Sequence, residues 1–93
     1  MIESFRCKET ERIFRRQATK RFPHNLLKRA KMRLDRIDAA TTLDDLRVPP
    51  SHHLEALQGD RLKQHSIRIN DQWRICFVWS DGNAREVEIV DYH

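Results

Sequence analysis

The sequence predicts an α+β fold, with two N-terminal helices packed on one face of a mostly antiparallel sheet. The sheet takes strand 1 from the N-terminus and three strands from the C-terminus. Three observations predict it. An apolar stripe of helical spacing runs through the first half of the chain. Apolar residues recur with period two in the second half. An Asp-Gly pair sits between two such period-two runs. The chain has 93 residues, enough for a single domain over 1–93 and one modest core.

The elements follow in order. Met1 to Arg6 sets Ile2, Ser4 and Arg6 against Glu3 and Phe5, which suits a short strand. Thr10 precedes a short basic helix over Glu11 to Ala18, and Phe22-Pro23 interrupts it. Asn25 is a candidate cap for the next helix. There Leu27, Ala30, Leu34, Ile37 and Thr41 recur every three to four residues, predicting a helix from Leu26 to Ala40. Thr42 to Lys63 is irregular and holds Pro49-Pro50, Gly59 and His52-His53. A stretch of that length in a small domain often bears function. His65 to Asn70 then alternates, and Trp73, Ile75, Phe77 and Trp79 share a face opposite Arg74, Cys76 and Val78. Asp81-Gly82 joins that run to a last strand over Ala84 to Tyr92, on which Val87 and Ile89 share parity.

Charge is split between the halves. Residues 1–36 hold 12 Lys/Arg against 4 Asp/Glu, whereas 37–93 hold 6 against 10. A concentrated basic half attracts polyanions, although Lys and Arg also suit exposed helix positions. Several function classes are excluded. Two glycines cannot build a Gly-rich phosphate loop, and no apolar run approaches a membrane span. The five histidines and two cysteines show no metal-ligand spacing, so neither a metal nor a cofactor is expected. Cys7 and Cys76 read as small core fillers on strands, in a chain of the reducing cytoplasm without a secretory signal. Asp44-Asp45 read as a turn or helix-end device.

Two features offer chemistry. Asp91-Tyr92-His93 combines a carboxylate, a phenol and an imidazole, groups that move protons or hold phosphate, although a polar strand terminus is the plainer alternative. Arg68 and Arg74 lie on neighbouring strands. An arginine pointing away from the core can grip a phosphate bidentately or form a cross-strand pair with Glu86 or Glu88.

A resemblance joins these features. Arg47-Val48-Pro49-Pro50, the run Leu54 to Arg61 with its Gly-Asp-Arg, the run His65 to Arg74 (HSIRINDQWR) and Val87 to His93 together resemble the HigB toxins of the RelE/ParE superfamily. The likeness extends to Ile2 to Phe5 and to Leu34 to Thr41, and so covers nearly the whole chain. It implies a compact RelE/ParE-like toxin of a type II toxin–antitoxin system that cleaves messenger RNA in the ribosomal A site. It also implies a HigA-type helix-turn-helix antitoxin, with operator DNA bound only through the complex. The resemblance implies neither a cofactor nor a membrane.

Carried over by position, Asp91, Tyr92 and His93 match the terminal motif, and Arg74 matches the strand arginine that holds the scissile phosphate. Where some members place a histidine and a lysine before Gly-Asp-Arg, this chain has Glu55 and Gln58. Glu55 can serve as a base, and Arg61 or Lys63 can replace the missing phosphate contact. The chemistry of RNA then suggests Asp91 or Glu55 as base, Arg74 as clamp and His93 as acid, with Tyr92 stacking on a base. Arg12, Arg15, Arg16, Lys28, Arg29 and Arg33, with Arg68, are candidates for gripping ribosomal RNA. A non-catalytic ParE-like toxin and a small nucleic-acid-binding module are the alternatives.

Overall fold

A computed structural model describes residues 1–91 of the chain. Two helices come first, α1 at Lys8–Phe14 and α2 at Leu27–Ala39. Four strands follow: β1 at Glu55–Ala56, β2 at Gln64–Arg68, β3 at Trp73–Ser80 and β4 at Asn83–Asp91. They form one antiparallel sheet in the order β1-β2-β3-β4. The expected fold class is the observed one. Among the described residues, no helix is long and apolar enough to cross a membrane.

The helical stripe does the packing. Ala30, Leu34 and Ile37 are fully buried against Ile67, Ile75, Phe77 and Val87 of the sheet. Trp73 and Trp79, which share the Ile75 face, pack against the rim of this core. Helix α2 stops at Ala39, one residue short of expectation. Thr41 and Thr42 donate their backbone N–H groups to the Asp45 carboxylate, and Thr42 accepts from the Asp45 N–H. The Asp44-Asp45 pair thus contributes a capping box, which also holds the Asp45 carboxyl below its usual range. Asn25 caps nothing: it lies inside the tight turn His24–Leu26 that leads into α2.

Helix α1 starts three residues earlier than the sequence suggests. Thr10 does not precede the helix but lies inside it as a buried residue, and its hydroxyl accepts the N–H of Ile89 on β4 at 3.0 Å. The helix ends before Arg16, whose φ of 59° lies in the left-handed region.

The expected N-terminal strand is reduced to two parallel bridges, Ile2 with Ala84 and Phe5 with Val87. The fourth strand comes instead from the irregular stretch, as the two residues of β1. At the β3–β4 hairpin, Asp81 and Gly82 have φ of 54° and 79°, the geometry of a type I′ turn. Strand β4 carries a bulge at Glu86, φ 51°, where its register against β3 shifts. The extra residue lets Ala84 and Val87, three apart, both face the core.

Candidate active site

The second face of the sheet, away from the helices, is polar yet partly covered. Gln64, Ser66, Arg74 and Cys76 are all buried there. Register sets Glu55, Ser66, Cys76 and Glu88 in one row across the four strands. The segment between β1 and β2 folds back over this row. Its Leu57 is buried, and its Arg61 donates to Glu88 at 2.8 Å and to Gln64 at 3.1 Å. Burial raises the Cys76 thiol above its ordinary pKa, which keeps it protonated and inert. Cys7 is not on a strand; it stands half-buried at the start of α1.

Arg74 is the centre of this face. It is 6 % exposed, a rare degree of burial for a cation. Its Nε donates to the Ser66 hydroxyl at 2.8 Å, and its Nη2 donates to the His53 carbonyl at 2.6 Å. Ser66 lies one strand over on β2. His53 has a left-handed φ of 45° and follows the turn Pro50–His52, of which His52 is buried. These partners are neutral oxygens that fix the position of the guanidinium. Among the described residues, Glu55 on β1 is a carboxylate beside it, with Oε1 3.8 Å from Nη2. That separation exceeds a hydrogen bond, and Glu55 is half exposed, so its oxygens can take a proton from an incoming group. Glu88, a cross-strand candidate for Arg74, is engaged by Arg61 instead.

The other candidates are distributed around this centre. Asp91 ends β4 on the parity of Ile89, opposite Trp73, and accepts from the Gln72 side chain at 3.1 Å. Tyr92 and His93 lie outside the described residues. Arg68 is tied to the β2–β3 turn through Asp71 and the Asn70 carbonyl. Lys63 sits in the covering segment with φ of 75°. On the helices, Arg12 pairs with Glu9 and Arg15 with Glu11. Arg16, Lys28 and Arg29 are exposed, and Arg33 reaches the Ser51 hydroxyl at 3.4 Å. Among the described residues, no three His, Cys, Asp or Glu side chains cluster as metal ligands would.

Ser66, the His53 carbonyl and the Arg61–Glu88 pair were absent from the sequence argument. Period-two alternation marks Ser66 and Glu88 as polar-face residues but does not say that a later fold of chain covers that face.

A buried arginine beside a half-exposed carboxylate, on the polar face of a helix-backed antiparallel sheet, is the centre of this compact α+β domain. The same fold occurs in a chain of the YoeB–YefM complex from Staphylococcus aureus. That match has a TM-score of 0.61 at 18 % identity, over 100 % of this chain and 98 % of that one. The chain belongs to the HigB-like toxin family, RelE-like toxins of type II toxin–antitoxin systems, whose family model matches residues 3–93. It is 34 % identical to the endoribonuclease HigB of Proteus vulgaris over the full length of both proteins. It is 44 % identical over 52 residues to toxin HigB-1 of Vibrio cholerae, covering 56 % of this chain and 55 % of that protein. An uncharacterized protein of Haemophilus influenzae is 36 % identical over 67 residues, 72 % of this chain and 66 % of its own length.

Proposed function

We propose that this protein is a ribosome-dependent endoribonuclease that cleaves messenger RNA in the A site and acts as the toxin of a type II system. The observation that carries it is Arg74, buried, aimed by the Ser66 hydroxyl and the His53 carbonyl and set 3.8 Å from the half-exposed Glu55 on the sheet face away from the helices. Family membership and the named activity of the Proteus vulgaris relative support it. RNA brings its own nucleophile, the 2′-hydroxyl. Glu55 takes its proton, O2′ attacks phosphorus, and the P–O5′ bond breaks. Arg74 holds the charge that builds on the phosphate oxygens. His93 gives a proton to the departing 5′-oxygen, and Tyr92 stacks on a base. Asp91 is the alternative base. The products are a 2′,3′-cyclic phosphate and a 5′-hydroxyl, and no step needs a metal. So few groups rely on the ribosome for alignment, which can supply several kcal/mol of the barrier.

The partner in this reading is a HigA-type helix-turn-helix antitoxin, through which alone operator DNA is reached, and the site of action is the cytoplasm. Arg12, Arg15, Arg16, Lys28, Arg29 and Arg33 grip ribosomal RNA, and Lys63 and Arg68 flank the message.

Single-turnover cleavage on programmed ribosomes tests the reading, with free message as control. The wild type should cleave only on ribosomes. Removing one proton-transfer group, by Glu55→Gln or His93→Ala, should slow cleavage by about 10²–10⁴-fold with little change in affinity. Arg74→Ala should lose rate and some affinity together. Full-rate cleavage by Arg74→Ala overturns the site; full-rate cleavage by Glu55→Gln alone moves the base to Asp91.

A further inference from the structure

The N-terminal segment follows β4 only as far as Arg6, whose N–H donates to the Val87 carbonyl at 3.0 Å. There the chain turns away into α1. The edge of β4 at Glu88 and Ile89 is left facing a cleft of about 460 Å³, walled by Arg6, Cys7, Lys8, Glu9 and Arg21. That volume is within the roughly 300–1,000 Å³ of sites that hold small ligands.

The charges in the cleft are one-sided. Its two carboxylates are occupied by groups from outside it: Glu88 by Arg61 at 2.8 Å, Glu9 by Arg12 at 3.2 Å and by the Thr19 hydroxyl at 2.5 Å. Its three cations, Arg6, Lys8 and Arg21, have no carboxylate partner among the described residues. Arg21 is nonetheless held in place. Its Nη1 donates to the Cys7 thiol at 3.6 Å, and its guanidinium lies 6.0 Å from the Phe22 ring centre. The floor of the cleft, Glu88, is the cross-strand neighbour of Cys76, two residues along β3 from Arg74. Strand geometry puts that step at about 8 Å, one strand over and two residues along.

We propose that this cleft is a second phosphate site, gripping the same RNA strand one or two nucleotides from the bond held at Arg74. The proposal rests on the RNA-cleavage reading above and extends it. Uncompensated cations on an open wall suit a phosphodiester backbone, and phosphate contacts of this kind set register rather than sequence. The engagement of Glu88 by Arg61 has a function here: it keeps the one carboxylate on the floor from repelling the strand.

Messages carrying one uncharged methylphosphonate linkage at each position around the cleaved bond, on ribosomes, provide the test. With wild-type toxin, one position within two nucleotides of the cleaved bond should raise the half-saturating toxin concentration by about fivefold at 0.1 M salt. That is the counterion-release share of one single-strand phosphate. R6A/K8A/R21A should raise it similarly on normal message, flatten the log–log salt dependence by about 0.7 per lost contact, and be insensitive to that one linkage. R6K/R21K, which keeps the charges, should behave as wild type, and so should R47A, a cation outside the cleft. Cleavage that is insensitive to every nearby linkage, or a triple variant with wild-type salt dependence, overturns the cleft while leaving Arg74 and Glu55 in place. A wild type that cleaves no message at all overturns both.

Discussion

At the scale of single residues, the decisive feature is how Arg74 is held. A guanidinium in a buried setting must have its donors met, and Ser66 and His53 meet two of them with neutral oxygens. Ser66→Ala leaves Nε without that acceptor. It should destabilise the fold by about 1–3 kcal/mol in denaturant titration and also slow cleavage, because the clamp loses its aim. A stability loss with an unchanged rate would reduce Ser66 to a packing residue. His52 offers a different test. Its ring is fully buried, with Nδ1 donating to the Leu46 carbonyl at 3.1 Å. Burial lowers its pKa, and the charges of Arg33 and Arg36 add to the effect. The unfolded chain therefore takes up a proton near pH 6.5 that the folded chain refuses. Stability from this group is complete above about pH 6.5 and is lost as pH falls through that value, by at most about 1.4 kcal/mol per pH unit. Asp45, whose pKa is lowered by its cap hydrogen bonds, acts in a separate window, below about pH 4. Denaturation at pH 7 and at pH 5.5 reads this window, to which His65 adds because burial lowers its pKa too, and His52→Gln should shrink the difference.

At the scale of elements, α2 anchors the domain. Leu34 is fully buried, so Leu34→Ala should cost about 2–5 kcal/mol, read from the shift in denaturation midpoint. A cost under about 0.5 kcal/mol would contradict its place in the core. This element was legible in the sequence because three-to-four spacing has one physical solution, and Ala30, Leu34 and Ile37 occupy it. The Asp81-Gly82 turn was legible because few residues accept two positive φ angles in succession. Helix α1 was displaced because Thr10 bonds to Ile89, a contact 79 positions away that no local pattern encodes. Strand β1 was hidden for a related reason: two residues between turns acquire strand geometry only by pairing with β2. Of the site, Arg74 and Glu55 were singled out through the resemblance to the HigB toxins, with Arg74 also a strand arginine of the polar face. Their juxtaposition with Ser66 and His53 depends on register and on the covering segment, which only the assembled sheet reveals.

At the scale of the whole molecule, charge is segregated, and its neutralisation is uneven. Arg12 and Arg15 are paired with Glu9 and Glu11 of α1, whereas Lys28 and Arg29 on α2 have no acidic partner among the described residues. If the helical face grips ribosomal RNA, charge reversal at Lys28 and Arg29 should weaken ribosome association more than reversal at Arg12 and Arg15. It should also flatten the salt dependence by a little under one unit of log–log slope per lost contact. Sedimentation of toxin with ribosomes across a salt series checks this. Equal effects from both pairs would mean that the i,i+3 and i,i+4 partners give up their arginines to RNA at no measurable cost.

The two bridges that tie Ile2 and Phe5 to β4 also bear on how the protein behaves in a crowded solution. A bare strand edge is a template on which a second chain can add itself. Here one margin of the sheet is the two-residue β1, too short to recruit a neighbour, and much of the other is screened by the N-terminal segment. That segment is pinned by the Ile2 N–H on Asp38 at 2.9 Å and by Ser4, whose hydroxyl accepts the Glu86 N–H at the bulge at 3.0 Å. Deleting residues 1–5 would bare the outer margin of β4 next to a fully buried Val87. Such a chain should self-associate as its concentration rises, seen as a growing particle size in light scattering, well before its helices melt.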